Sequence, residues 1–139
     1  MKKILLLFAA LFVLNSCDLG DDGERYHLEV LPVESFVIPE YFVMGQTYTI
    51  KLYYRRPTTC YGFDGIYYKR ENNIRTIGVQ NFVLERNDCE PISLERDPSM
   101  TSFNFLVTNN GSYVFKFYKG KDDDGNSVFE EVEIPVVEN

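Results

Sequence analysis

The strongest constraint on this chain is a two-residue alternation across Thr47–Arg55. Tyr48, Ile50, Leu52 and Tyr54 fall on one face, and Thr47, Thr49, Lys51 and Arg55 fall on the other. Successive side chains of a strand point to opposite faces, so the pattern predicts a strand with one face in a core. Tyr53 interrupts the polar face and is expected to be exposed. The same period recurs in Tyr26–Val30, in Phe103, Phe105 and Val107, and in Tyr113, Phe115 and Phe117, with turn residues between them. Such spacing predicts an all-β fold. No amphipathic helix and no internal repeat interrupts it.

The remaining strands are placed by their punctuation. Pro32 and Pro39 bracket Val33–Ile38, as expected of a short edge strand. Gly45-Gln46 turns the chain into Thr47–Arg55. Cys60–Gly65 reads as a glycine-bearing loop, and Ile66–Lys69 as the start of a strand. Glu71-Asn72-Asn73 turns back into Ile74–Val79, and Phe82–Leu84 continues the apolar character. Glu90–Ser99, with its prolines and charges, reads as a surface connection.

Two connections can be tested by parity. A two-residue Asn110-Gly111 hairpin would set Phe105 opposite Lys116 and mismatch the faces. Either a three-residue loop with Gly111 in the left-handed region or a corner between two sheets restores the match. Asp124-Gly125 is a strong two-residue turn signal. Used as the loop, it pairs Phe117 with Val132, Phe115 with Ile134 and Tyr113 with Val136, and on the other face Lys116 with Glu133 and Tyr118 with Glu131.

About seven short strands between residues 26 and 139 suggest a β-sandwich. Tyr and Phe supply all of the 15% aromatic content, with no Trp, and both suit a sandwich core. Asn109-Asn110-Gly111-Ser112-Tyr113-Val114-Phe115 resembles the tyrosine-corner signature of immunoglobulin-like domains. That resemblance implies an immunoglobulin-like sandwich of about seven antiparallel strands. It also implies that the Tyr113 hydroxyl bonds to backbone near the preceding loop. Phe115 stands where antibody domains carry their second cysteine, so the likeness is to the fold and not to antibody domains.

Residues 1–16 have the parts of a secretory signal: Lys2 and Lys3, an uncharged apolar run from Ile4 to Leu14, then Asn15 and Ser16. The run is shorter than the roughly 20 residues that span a bilayer. Leu14-Asn15-Ser16-Cys17 resembles the lipobox of bacterial lipoproteins. That implies cleavage before Cys17, lipidation of its sulfur and a stable multi-chain anchor in the outer membrane. Residues 17–25 then form an acidic tether. It is similar to the export signal of Bacteroidota surface lipoproteins, which implies exposure at the cell surface. The periplasmic face is the alternative. With Cys17 lipidated in an oxidising compartment, Cys60 and Cys89 are expected to pair.

Losing residues 1–16 removes two lysines and no acid, so the formal charge falls from −7 to −9. That balance argues against nucleic acid and against adhesion to anionic head groups. His27 is the sole histidine, on an alternating strand near the tether, and no spacing marks a nucleophile–base pair. Asp122, Asp123, Asp124 and Asn126 offer oxygens without EF-hand spacing, and a turn accounts for them. No metal, cofactor or enzymatic activity is expected. Tyr53, Tyr61, Phe63, Tyr67 and Tyr68 lie around the Cys60 loop with Arg55-Arg56 beside them, and of these Arg55, Tyr61, Phe63 and Tyr67 are the candidate binding residues. The expected function is a non-enzymatic, lipid-anchored module contacting another envelope protein. The alternative is a glycan-binding accessory lipoprotein that uses the Tyr-rich loop around Cys60.

Overall fold

A computed structural model describes residues 23–138. The signal segment, Cys17 and most of the tether lie outside the described residues. The rest is all-β, in nine strands: β1 (Tyr26–Leu31), β2 (Ser35–Val37), β3 (Phe42–Val43), β4 (Thr47–Tyr54), β5 (Tyr61–Glu71), β6 (Ile74–Leu84), β7 (Ser99–Leu106), β8 (Ser112–Lys121) and β9 (Ser127–Val137).

The larger sheet is built around β6. Antiparallel β5 covers one edge of β6 along nearly its whole length. The other edge is shared end to end by β1, opposite residues 79–84, and by β8, opposite residues 74–77. The Val33 N–H donates to the Tyr118 carbonyl and joins the two. Antiparallel β9 and then β3 extend the sheet beyond β8. The smaller sheet has three strands in the order β2-β4-β7. Two pairings are parallel, β6 with β8 and β3 with β9. Nine strands with two parallel pairings replace the seven antiparallel strands expected from sequence.

The alternating residues fill the space between the sheets as their period requires. Ile50 and Leu52 of β4 and Tyr113, Phe115 and Phe117 of β8 are fully buried, as are Val33, Phe42, Ile77 and Val79. Burial of each such side chain contributes about 1.5–3 kcal/mol. The aromatic rings interlock edge to face: Phe105 lies 5.0 Å from Tyr113 and 5.2 Å from Phe115. Phe36 stacks on Phe117 at 3.8 Å. Tyr53 is half-buried instead of exposed.

β7 and β8 belong to different sheets, so Asn109–Gly111 is a corner and not a hairpin. The Tyr113 hydroxyl accepts the N–H groups of Thr108 (3.2 Å) and Asn109 (2.9 Å). Gly111 takes φ 85°, a region that only glycine enters without strain.

The last hairpin differs from its predicted register by two residues. Phe117 pairs with Glu130, Phe115 with Val132, Tyr113 with Ile134 and Lys116 with Glu131. The loop has three residues, Asp123-Asp124-Gly125, closed by Asp122 N–H to Asn126 O at 2.9 Å. The Asp122 carboxylate accepts the N–H groups of Asp124 (3.0 Å) and Asn126 (2.8 Å), which favours the longer loop. A bulge between Tyr118 and Gly120 adds a second one-residue offset. Two such offsets restore parity, so the predicted faces hold although the partners change.

Cys60–Gly65 is not a loop, since β5 begins at Tyr61 and continues through a bulge between Phe63 and Gly65. Gly62 passes beneath the Phe82 ring, where a Cβ would lie 2.0 Å from Cζ. Cys60 and Cys89 form the expected disulfide, with Cα atoms 5.4 Å apart. It ties the β4–β5 connection to the 85–98 segment. Thr59 N–H to Glu90 O (2.9 Å) and Ile92 N–H to Pro57 O (3.0 Å) hold the same two segments together.

Candidate partner-binding edge and groove

A strand at a sheet edge exposes unpaired backbone groups and is ordinarily blunted by shortness, charge, proline or a bulge. Most edges here are blunted. β2 and β3 are three and two residues long. β1 carries the pair His27 and Glu29 and runs into Pro32. β5 carries Asp64, Lys69, Arg70 and Glu71 and is bulged.

The outer edge of β7 has none of these devices. Its eight residues, Ser-Met-Thr-Ser-Phe-Asn-Phe-Leu, contain no charge and no proline, and its pairing with β4 is unbroken from Ser99 to Leu106. Val107, just beyond, donates to Gln46 O and accepts from Gly45 N–H, both at 3.0 Å. Antiparallel backbone groups alternate in direction. The N–H and C=O groups of Met100, Ser102, Asn104 and Leu106 therefore point away from β4, on a side where no described strand pairs. Met100 and Leu106 are more than half exposed.

Beside this edge lies an open groove of about 420 Å³, lined by Ile66, Tyr68, Arg70 and Arg75 on one side and Phe103 and Leu106 on the other. The larger sheet has six strands and the smaller three. The inward row of β5 meets the smaller sheet at two rings, Phe63 with Tyr54 at 6.5 Å and Tyr68 with Phe103. The Tyr68 ring meets Phe103 edge to face at 5.9 Å. Burial raises the Tyr68 hydroxyl above its ordinary pKa, against the opposing pull of Arg75 and Arg70.

Arg75 sits at an inward position of β6 and is only 2% exposed. Its Nη1 donates to the carbonyls of Asn72 (2.6 Å) and Ile74 (2.9 Å). Its guanidinium lies 4.9 Å from the Tyr113 ring centroid and 5.7 Å from that of Phe105. Nε has no acceptor. Arg70 stands directly opposite it across the β5–β6 ladder. Like charges so placed repel. Among the described residues, neither arginine has a carboxylate within ion-pair distance.

Of the aromatics read around the Cys60 loop only Tyr68 lines this groove; the candidate binding residues Arg55, Tyr61, Phe63 and Tyr67 lie elsewhere and do not converge. Arg55 is an internal latch: Nε pairs with Glu34 at 2.8 Å, and Nη1 donates to the carbonyls of Leu94 and Arg96. The pocket beside it holds about 30 Å³, room for little more than water. The Tyr61 hydroxyl donates to Glu29 at 2.9 Å, and its pKa is raised by burial and then by that carboxylate. Phe63 and Tyr67 are exposed. Register places Phe63 on the inward row with Asn81 and Tyr67 on the outward row with Gly78, so they share no platform. His27 is exposed, with Glu29 at 4.0 Å and Glu85 at 3.5 Å.

Arg70, Arg75 and the β7 edge were missed from sequence. One signal was present: no charged residue occurs from Pro98 to Phe115. Among the described residues, no three His, Cys, Asp or Glu side chains group as a metal site, and no helix is long and apolar enough to cross a membrane. No family model, no curated protein and no solved structure matches this chain, so the reading of the site rests on its geometry.

Proposed function

We propose that the protein is a non-enzymatic, lipid-anchored module of the outer-membrane surface that binds a partner protein along the free edge of β7. The observation that carries this reading is that edge: eight residues long, uncharged, unbulged and beside an open groove. Adding a strand to such an edge satisfies backbone groups and buries side chains at once, a common mode of peptide recognition. Anchorage through Cys17 and surface exposure are supported by the lipobox and the acidic tether. An immunoglobulin-like relationship is supported by the two-sheet core and by the Tyr113 hydroxyl bonded at the corner. The two parallel pairings depart from the antiparallel sheets of that family. The glycan alternative rests on Phe63 and Tyr67, which face opposite sides of their sheet.

The test uses a photo-crosslinking residue at Ser102 in the intact protein on cells, with the same residue at Glu133 as control. A single adduct is expected from position 102 alone, lost when Met100→Lys and Leu106→Lys place charges on the edge. Equal labelling from both positions, or labelling insensitive to the lysines, refutes the edge. Mass spectrometry that finds residue 17 unmodified in native material refutes the anchor.

A further inference from the structure

We infer that the segment added along β7 is an extended strand of a partner protein carrying an acidic side chain that lands between Arg70 and Arg75. The inference rests on the reading of β7 as a docking edge and specifies what docks there.

Geometry places the incoming strand. A strand paired to the free side of β7 lies about 4.8 Å from it, and stacked sheets lie about 10 Å apart. It therefore becomes the fourth strand of the smaller sheet and sits over the inward row of β5. Its alternate side chains point into the groove, against Ile66, Tyr68 and Phe103, and finally toward the two arginines.

Charge specifies one of those side chains. Arg75 is buried, one of its nitrogens lacks an acceptor, and a second guanidinium faces it across the ladder. Desolvated cations without a counter-charge are costly. The chain has 21 acidic residues, yet among the described residues none pairs with either arginine. A carboxylate on the added strand, beside the exposed Arg70 at the mouth of the groove, screens the Arg70–Arg75 repulsion and becomes shielded from water as the groove closes. The groove-facing side chains of that strand that lie over Ile66 and the Tyr68 and Phe103 rings are apolar, because those surfaces are apolar.

The probe is a set of ten-residue peptides of alternating valine and threonine with constant solubilising ends. They carry Glu, Gln or Lys at one central valine position. Binding is titrated against the intact protein, and hydrogen exchange is followed at the amides of Met100, Ser102, Asn104 and Leu106. The Glu peptide is expected to bind on the order of tenfold more tightly than the Gln peptide and to protect those amides. The Lys peptide is expected to bind more weakly than either. The Glu preference should shrink to less than twofold in Arg75→Met. Arg70→Gln, at an exposed position, should also reduce it and serves if Arg75→Met does not fold.

The outcomes separate the two levels of the argument. Equal affinity for Glu and Gln with β7 protected overturns the acidic contact and leaves the edge standing. No protection by any peptide at about 1 mM overturns the edge itself. A Glu preference without protection of β7 overturns the placement. Protection already present without peptide overturns the partner strand. If it grows with protein concentration, a second copy fills the edge, and if it does not, a segment of the same chain does.

Discussion

Tyr113→Phe isolates one atom at the corner between the sheets. The hydroxyl accepts the N–H groups of Thr108 and Asn109, at 3.2 and 2.9 Å, where the chain leaves β7 for β8. Phenylalanine keeps the ring, and with it the edge-to-face contact with Phe105 at 5.0 Å and the place beneath Arg75 at 4.9 Å. The loss is then two hydrogen bonds at half-buried donors, about 1–2 kcal/mol in all once water partly replaces the acceptor. Unfolding entropy near 2.1 cal/mol/K per residue, over the roughly 115 residues of the domain, makes 1 kcal/mol worth about 4 °C. The melting temperature should therefore fall by about 4–8 °C, and the amides of Thr108 and Asn109 should lose protection from hydrogen exchange. A fall below 1 °C with both amides still protected would refute the assignment. A fall of the expected size with the amides unchanged would place its cause elsewhere.

Replacing both Cys60 and Cys89 by alanine reopens a loop of 29 residues. The chain-entropy estimate for such a loop is about 3.5 kcal/mol, or a melting temperature lower by roughly 15 °C, and equal masses after alkylation with and without reductant would show that no bridge existed. Gly62→Ala must displace the Phe82 ring, whose Cζ would lie 2.0 Å from the new Cβ, and should cost about 1–3 kcal/mol in denaturant unfolding. Gly65→Ala, with nothing within 4 Å of its Cβ, should stay within about 0.5 kcal/mol, and equal losses at the two sites would contradict the packing. Backbone and side-chain donors, Asn126 N–H foremost, hold the Asp122 carboxyl below the ordinary aspartate range. Its contribution to stability is complete above the unfolded aspartate value near pH 3.9 and is lost as pH falls through the lower folded value. Asp122→Ala should flatten that acid limb, and an ordinary titration of Asp122 by NMR would contradict the hydrogen bonding.

The parts of this fold that sequence revealed are those where one local period decides the outcome. In β4, β7 and β8 a strict alternation assigned the faces, because a shift of one residue would send Ile50 or Phe115 into water. The partner of each residue is a different kind of information. Glu131 and Glu133 offer Lys116 nearly equivalent partners two residues apart on the same face, so charge could not choose between them. The choice was made by the Asp122 carboxylate closing a three-residue loop and by the bulge at Gly120. The parallel β6–β8 contact joins segments about 40 residues apart and leaves no local trace. Arg75 was passed over because a charge at an inward position reads as a break in the pattern. Only the neighbouring strand, with Arg70 opposite, shows that the break is half of a guanidinium pair.

The bare β7 edge and the bare arginines constrain each other. An uncharged, flat edge invites pairing with any extended chain, including a second copy of itself. Pairing β7 with β7 would lay Ser99–Leu106 over the groove, and that stretch contains no acid to place against Arg70 or Arg75. It would also bring together two chains of formal charge −9 after loss of residues 1–16 and bury the guanidinium pair further without a carboxylate. Self-association thus gains the backbone hydrogen bonds but adds an electrostatic cost. A strand with one well-placed carboxylate gains the same bonds and removes that cost. On the proposed reading the arginines filter an otherwise permissive edge, with discrimination from the penalty on the wrong occupant as much as from attraction to the right one.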